Sequence, residues 1–413
     1  MIESAESSHL INNKENLKQI FDRRESGMVT VFTPVYNRAY IISQLYQSLL
    51  RQTNNNFEWL IIDDGSTDNI IELVNQWISS TEKFQIKFYQ QSNGGKHRAI
   101  NRGVHLAQGD AFLIVDSDDY LTDDAVDTVL KYWKQIKDDR TFAGISGLRI
   151  HQNMQVIGGK PNFDEYVDAT NLERTEYGLK GDKAEIYKTD ILKAFPFPEF
   201  EGEHFVTESI VWNKIAYQGY KLRWFNKGIV ICEYLEDGLS ANGDRLFAQN
   251  PKGWAAYLCN EKIYQVWNEH DYLKQCLHYY ETEHLYIKED DIKKSLGIDN
   301  NKMDTIKKTY ALLKRQLAEL CKDKKVCIYA YGVWGKRLNR YLDVLNIPVY
   351  YIIDQKCVNT GGIVQYKLEA VLPEADVVLV ALKNGSDYVI PILKSKLNKC
   401  RIVALKEIVS EWW

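Results

Sequence analysis

Between residues 29 and 135 the chain alternates short β-branched apolar runs with stretches whose apolar residues recur at helical spacing. That alternation confines it to an α/β layer fold, with helices covering a largely parallel sheet. Val29-Thr30-Val31-Phe32-Thr33-Pro34 reads as a strand stopped by a proline. From Ala39 the period changes, and Ile42, Leu45, Tyr46 and Leu49 fall on one helical face. Further strands are expected over 57–62, 84–90 and 111–115. A helix near 69–79 would turn Ile71, Val74 and Ile78 inward; another, after Thr122, would bury Val126, Val129, Leu130 and Trp133. In such sheets ligands collect beyond the carboxyl ends of the strands.

Two of those ends are acidic. Val115-Asp116-Ser117-Asp118-Asp119 closes one apolar strand, and Asp63-Asp64-Gly65-Ser66-Thr67-Asp68 closes another. Carboxylates spaced like Asp116 and Asp118 suit a hydrated divalent cation and the diphosphate it carries. Asp118 is the better metal ligand and Asp116 the better partner for sugar or ribose hydroxyls. Asp119 points the other way on a regular strand, so strand must yield to loop if all three are to meet one ligand. An acid cluster that merely caps a turn is the plainer alternative for the group, and for Asp119 in particular.

Asp64 can accept hydrogen bonds from a nucleobase N–H, with Thr33, Pro34 and Tyr36 forming the side of the base slot. Asp63, Ser66 and Asp68 serve equally well as turn-stabilising groups. Asn93-Gly94-Gly95-Lys96-His97 follows the third strand; its glycines permit close backbone approach, and Lys96 can offset diphosphate charge. His97 and Arg102 are weaker candidates for the same task.

From about 142 the pattern is mixed, with strand-like 142–150 and 156–158, helical 206–218 and strand-like 222–232. Fewer regular signals and more polar groups suit an acceptor-binding half. Glu208, near the start of the 206–218 helix, is either a first-turn acid or a general base that deprotonates an acceptor hydroxyl. Glu203 is its nearest rival, with Glu201 behind it. Asp237-Gly238-Leu239-Ser240 is a candidate turn over the diphosphate.

The balance of 52 basic against 56 acidic side chains, net -4, argues against whole-chain affinity for nucleic acid, and no nucleic-acid partner is expected. Seven scattered cysteines without a Cys-x-x-Cys pair read as free thiols. No run reaches the length of a membrane span and no signal peptide opens the chain, which favours the cytosol, with peripheral contact at the inner face of a membrane left open.

Residues 1–26 read as a polar arm and 245–325 as a helical extension. Within it Ile306, Tyr310, Leu313, Leu317 and Leu320 form a stripe flanked by Lys307, Lys308, Lys314 and Arg315. This is a helix packed on its own domain or on a second copy in a homo-oligomer, or else a basic helix lying on a membrane. Residues 326–413 carry four short strands and a glycine turn, Tyr331-Gly332-Val333-Trp334-Gly335, as a small Rossmann-like unit. Ala330 stands where the three-glycine fingerprint begins. A bound cofactor and a structural or accessory role are both open for this unit.

Together, Val31-Phe32-Thr33-Pro34-Val35-Tyr36-Asn37, Ile62 to Asp68, Asn93-Gly94-Gly95 and Asp116 to Asp119 resemble the family 2 glycosyltransferases, inverting enzymes of the GT-A fold. The resemblance implies a nucleotide-diphospho-sugar transferase domain over 27–244. Asp64 would read the base (a UDP-sugar is favoured), Asp116 would bind the sugar nucleotide, and Asp118 would hold Mn²⁺ or Mg²⁺. Glu208 would take the base role, although the family's adjacent Glu-Asp is Glu208-Ser209 here. The acceptor would be a glycan or a lipid-linked intermediate of surface-polysaccharide synthesis. Nucleotidyl transfer that builds sugar nucleotides, and a non-catalytic sugar-nucleotide-binding module, are the competing functions.

Overall fold

The structure is a computed structural model describing residues 27–233, 243–356, 362–397 and 399–408, the side chain of Asp244 excepted. The arm at 1–26 and the turn at 237–240 lie outside the described residues. The chain divides into two units between Val266 and Trp267.

In the first unit the expected alternation is present. Strands β1 (Val29–Val35), β2 (Phe57–Asp63), β3 (Gln85–Gln90) and β4 (Ala111–Ile114) alternate with helices α1 (Ser43–Leu50), α2 (Ile70–Ser80) and α3 (Lys96–Leu106). There follow β5 (Tyr120–Leu121), α4 (Ala125–Ile136), β6 (Phe142–Ile150), β7 (Tyr166–Ala169), β8 (Lys183–Lys188), α5 (Thr189–Ala194), α6 (Ser209–Tyr217) and β9 (Lys221–Ile231), then α7 (Gly243–Gln249) and α8 (Pro251–Ile263). The strands form one sheet in the order β3-β2-β1-β4-β8-β6-β9-β5, with β7 on β9. β1 is parallel to β2 and β4, and β2 to β3, whereas β8 runs antiparallel to β4 and β6. The first four strands therefore point their carboxyl ends to one edge. Strand-like 156–158 supplies only the bridge Ile150↔Val156.

Alternation along β1 sorts side chains onto two cores. Val29, Val31 and Val35 pack with α1, α2 and α4, while Phe32 packs with α3 and α6. Helix α2 is rotated from its expected face: Ile70, Val74 and Trp77 are buried and Ile78 is 42% exposed. The stripe starts one residue earlier than the isoleucine spacing suggests, because Trp77 stacks on Tyr46 at 4.4 Å and Trp59 at 5.6 Å. In α4, Ala125, Tyr132 and Ile136 join Val126, Val129 and Trp133 inside, and Leu130 is half-buried.

The second unit starts with α9 (Glu269–Glu283), α10 (Glu289–Leu296) and α11 (Asn300–Cys321). The stripe from Ile306 to Leu320 on α11 is buried, packed on α9 and on α12 (Val333–Val344), so that face is covered within its own unit. Strands β10 (Val326–Tyr329), β11 (Val349–Ile353), β12 (Gln365–Tyr366), β13 (Val377–Val380) and β14 (Arg401–Ala404) make a parallel sheet ordered β12-β11-β10-β13-β14. Helices α13 (Ser386–Lys396) and α14 (Leu405–Ile408) complete the unit. Ala330 takes a left-handed φ of 66°, and Asp354 accepts the Tyr331 N–H at 2.7 Å and the Lys356 N–H at 2.9 Å. No helix among the described residues is long and apolar enough to cross a membrane.

Candidate active site

The end of β2 is knitted by neutral donors. Asp63 accepts the Ser66 N–H at 2.9 Å and the Gln90 amide at 3.0 Å. Ser66 Oγ accepts the Asn37 N–H at 2.8 Å, and Asp68 accepts the Ala39 N–H at 2.8 Å. Asp63, Ser66 and Asp68 thus bind the turn to the loop after β1. Asp64, 4% exposed, accepts the N–H groups of Gly94 at 2.9 Å and Gly95 at 2.7 Å and the Gln91 amide at 2.7 Å. Three of its roughly four lone-pair sites are filled, leaving one on Oδ2. Gly95 is required twice over: its φ is +92°, and a Cβ there would lie 1.8 Å from the His204 carbonyl oxygen.

Lys96 follows that glycine directly and opens α3. Its ammonium reaches Asp116 Oδ1 at 2.5 Å and Glu208 Oε1 at 2.8 Å. Past β4 the strand gives way to a turn closed by the Asp119 N–H on the Asp116 carbonyl at 3.0 Å. Arg149, on β6, lies 2.6 Å from Asp119 Oδ2 and 3.8 Å from Asp116 Oδ2. Residues 64, 95, 96 and 116 therefore connect the two acidic strand ends through one loop.

The electrostatics follow from that packing. Burial disfavours the Asp116 carboxylate, but Lys96 and Arg149 outweigh it and hold the group below its usual range. Burial likewise opposes the Lys96 ammonium, and the charges of Asp116 and Glu208 raise it well above a free lysine. Asp118 is pushed up by burial and then by the neighbouring Asp116 charge. Burial carries Asp119 to about 7 against the pull of Arg149. Asp118 makes no ion pair with the described residues, which leaves its carboxylate as the open member of the cluster.

Glu208 occupies the N-cap position of α6 without capping it; its carboxylate turns to Lys96 instead. Glu203 is a cap, accepting the N–H groups of Lys252 and Gly253 at 2.8 Å each at the start of α8. Thr33 faces the core, where its hydroxyl accepts the Trp59 indole N–H at 3.0 Å, so only its backbone borders the strand end. Pro34 is half-buried and Tyr36 is 49% exposed just beyond it. His97 is 1% exposed with neither ring nitrogen paired among the described residues, and burial, aided by Arg98, lowers it to about 4, so it is neutral at pH 7. Arg102 reaches back to the Gln90 carbonyl at 2.5 Å, away from Asp116.

Three residues had no place in the sequence reading. Arg98 donates to the carbonyls of Gly94, Glu203 and Phe200 at 2.7, 2.6 and 2.6 Å, tying the glycine loop to the segment before Glu208. Arg149 is the one charged residue of β6, an incongruity visible in the sequence, whereas Glu185 is the one acid of a β8 that also carries Lys183 and Lys188.

The model of the family described as glycosyl transferase family 2 matches residues 30–165. A glycosyltransferase of Haemophilus influenzae is 35% identical over 108 residues, 26% of this chain and 43% of that protein. The glycosyltransferase GlyG of Streptococcus pneumoniae is 32% identical over 140 residues, 34% and 41% of the two chains. Chondroitin synthase of Pasteurella multocida is 32% identical over 141 residues, 34% of this chain and 14% of that one. The chain thus spans less than half the length of these relatives. Among solved structures, Staphylococcus aureus TarS 1-349 with UDP-GlcNAc superimposes with a TM-score of 0.47 at 18% identity over 70% of this chain and 81% of that one, a likeness on which nothing below depends. With the ordered strand-end motifs and the mixed sheet, the first unit is a GT-A-like α/β domain, and its residues 30–165 are similar to glycosyl transferase family 2.

Proposed function

We propose that the protein is an inverting transferase that moves a sugar from a nucleotide-diphosphate donor, a UDP-sugar in the first instance, to a hydroxyl of a glycan or lipid-linked acceptor in surface-polysaccharide synthesis. The observation that carries this reading is Lys96 bridging Asp116 and Glu208, because it joins the donor side of the reaction to its base. The acceptor oxygen attacks C1 of the sugar from the face opposite the diphosphate, and the configuration at C1 inverts. Glu208 takes the proton of that hydroxyl as the new bond forms. Lys96 faces the departing diphosphate and stabilises its growing negative charge. Asp64 holds the Gly94-Gly95 loop against the base slot and offers its remaining lone pair to a base N–H, beside Pro34 and Tyr36.

The donor set also fits a divalent cation. Among the described residues Asp116, Asp119 and Glu208 are paired with Lys96 and Arg149, while Asp118 makes no ion pair, though Arg38 also draws its carboxyl down. Among the described residues no three His, Cys, Asp or Glu side chains gather as a closed metal cage. An ion such as Mg²⁺ that takes one or two carboxylates and completes its shell with substrate phosphates and water needs no such cage. Asp118 would hold the ion, with Asp116 beside it. Bound Mn²⁺ or Mg²⁺ would supply charge neutralisation to the leaving diphosphate.

The test is release of nucleoside diphosphate from UDP-glucose, UDP-galactose, UDP-N-acetylglucosamine or GDP-mannose with p-nitrophenyl sugar acceptors and MnCl₂. Release that stops on adding EDTA, with an inverted glycosidic product, is expected. Pyrophosphate formed from UTP and a sugar 1-phosphate would convert the reading to nucleotidyl transfer. Neither release nor binding would reduce the protein to something other than an enzyme of this class.

A further inference from the structure

Strand β8 carries one side chain at odds with its neighbours. Lys183, Ala184, Ile186, Tyr187 and Lys188 are all buried, whereas Glu185, in the middle of the strand, keeps 11% of its side-chain exposure. Lys183 and Lys188 are satisfied by backbone carbonyls, at Ile157 and Asp139 respectively. Among the described residues Glu185 makes a single ion pair, with the Arg174 guanidinium, whose Nη1 lies 3.6 Å from Oε1, beyond hydrogen-bond range.

Arg174 does not reach for Glu185. It is pinned by the carbonyls of Leu179, at 2.9 Å, and Gly181, and lies over the Trp224 ring at 5.5 Å. The carboxylate is thus nearly enclosed, beside a fixed positive charge, drawing on its own backbone N–H but taking no side-chain hydrogen bond from the described residues. Such a group costs stability unless something outside the fold pairs with it.

The sheet register says what it faces. Glu185 lies opposite Ser146, and Ser146 opposite Trp224, so the three share a face. Tyr187, two residues along on that face, stacks on Trp212 of α6 at 4.3 Å. Glu208 opens α6, and its charge acts on Glu185 together with that of Arg149. Glu185 on β8 is therefore within electrostatic reach of Glu208, the carboxylate that Lys96 also meets.

We infer that Glu185 is an acceptor-binding residue: its carboxylate accepts a hydrogen bond from a sugar or polyol hydroxyl adjacent to the attacking one and so turns the attacking oxygen toward Glu208. This rests on the transfer reading above. An ionised carboxylate can take two such hydroxyl donors, and a protonated one gives up part of that capacity. Burial pushes Glu185 up to about 7; Arg174, from the turn before β8, and Arg149, from β6, pull it down, and Glu208, from α6, pushes it further up. Tyr187, its neighbour on β8, is held far above its usual range and stays neutral. Acceptor use should therefore improve as pH rises through about 7.

The experiment compares wild type, Glu185→Gln and Arg174→Lys with the same donors and p-nitrophenyl glucoside, galactoside and N-acetylglucosaminide acceptors, from about pH 5.5 to about 8.5. Glu185→Gln is expected to raise acceptor KM on the order of tenfold, with donor KM and acceptor-free donor hydrolysis unchanged and Tm not lowered. The rise in acceptor kcat/KM through about pH 7 should flatten in that variant, and Arg174→Lys, which keeps the charge, should show a smaller loss. A wild-type acceptor KM in Glu185→Gln would overturn the inference alone. Donor and acceptor KM rising together with a fallen Tm would also overturn it, as the mark of a structural strut. A wild-type protein that transfers to none of these acceptors would remove the transfer reading and this inference with it.

Discussion

At the end of β2, Asp63 and Asp64 take their hydrogen bonds from the N–H groups of Ser66, Gly94 and Gly95 and from the amides of Gln90 and Gln91. At the end of β4, Asp116 and Asp119 are met by Lys96 and Arg149. The residue type and the place on the strand are the same, but the partners differ in charge. Neutral donors fix geometry and leave little to exchange. Cationic partners hold a cluster whose charge is unbalanced, and such a cluster is suited to a charged ligand. On the proposed reading the first end holds the loop that delivers Lys96, and the second is where the chemistry would take place.

That contrast can be broken in order of effect. Asp118→Asn should cut metal-stimulated transfer by ~10³-fold with little change in melting, since the side chain makes no ion pair with any described residue. Steady-state rates across a MnCl₂ titration read this out, and a fully active variant would remove Asp118 from the metal role. Glu208→Gln should lower transfer by ~10²-fold or more while donor KM stays near wild type. Retained transfer would move the base elsewhere.

Stability sharpens the comparison further. Arg149→Met strands Asp119 and part of Asp116 without a counter-charge and should cost about 3–5 kcal/mol in urea unfolding. Asp64→Asn removes one acceptor from the Gly94-Gly95 pair and should cost about 1–3 kcal/mol, with donor KM rising because the loop is looser. If Asp64→Asn proved the more damaging of the two to folding, the division into neutral scaffold and charged site would be wrong.

Much of this was open to inspection in the sequence. Apolar runs gave the four parallel strands, and the abrupt acidic endings of two of them gave both acidic tips, because strand period and turn chemistry are local. The face of α2 was misjudged because a tryptophan in the interior outranked an isoleucine, a choice made by Tyr46 and Trp59 from other elements. Glu203 looked like a rival base until its partners, some fifty residues onward, proved to be the first N–H groups of α8. Arg149 and Glu185 were out of reach for a related reason: their neighbours are set by the register of β6 and β8, which no periodicity within one strand encodes. Position along the chain announced the acids; only cross-strand pairing announced their counter-ions.

The contact of Gly95 with His204 bears on how the proposed activity would be acquired. That glycine meets a backbone more than a hundred positions later, and Lys96 is aimed only once they have docked. Contacts so distant in sequence close late in folding. A nascent or truncated chain ending before His204 would already own every donor-side acid yet lack the clasp that orients its lysine, so competence should arrive in a single step with the completed domain rather than accumulate along the way.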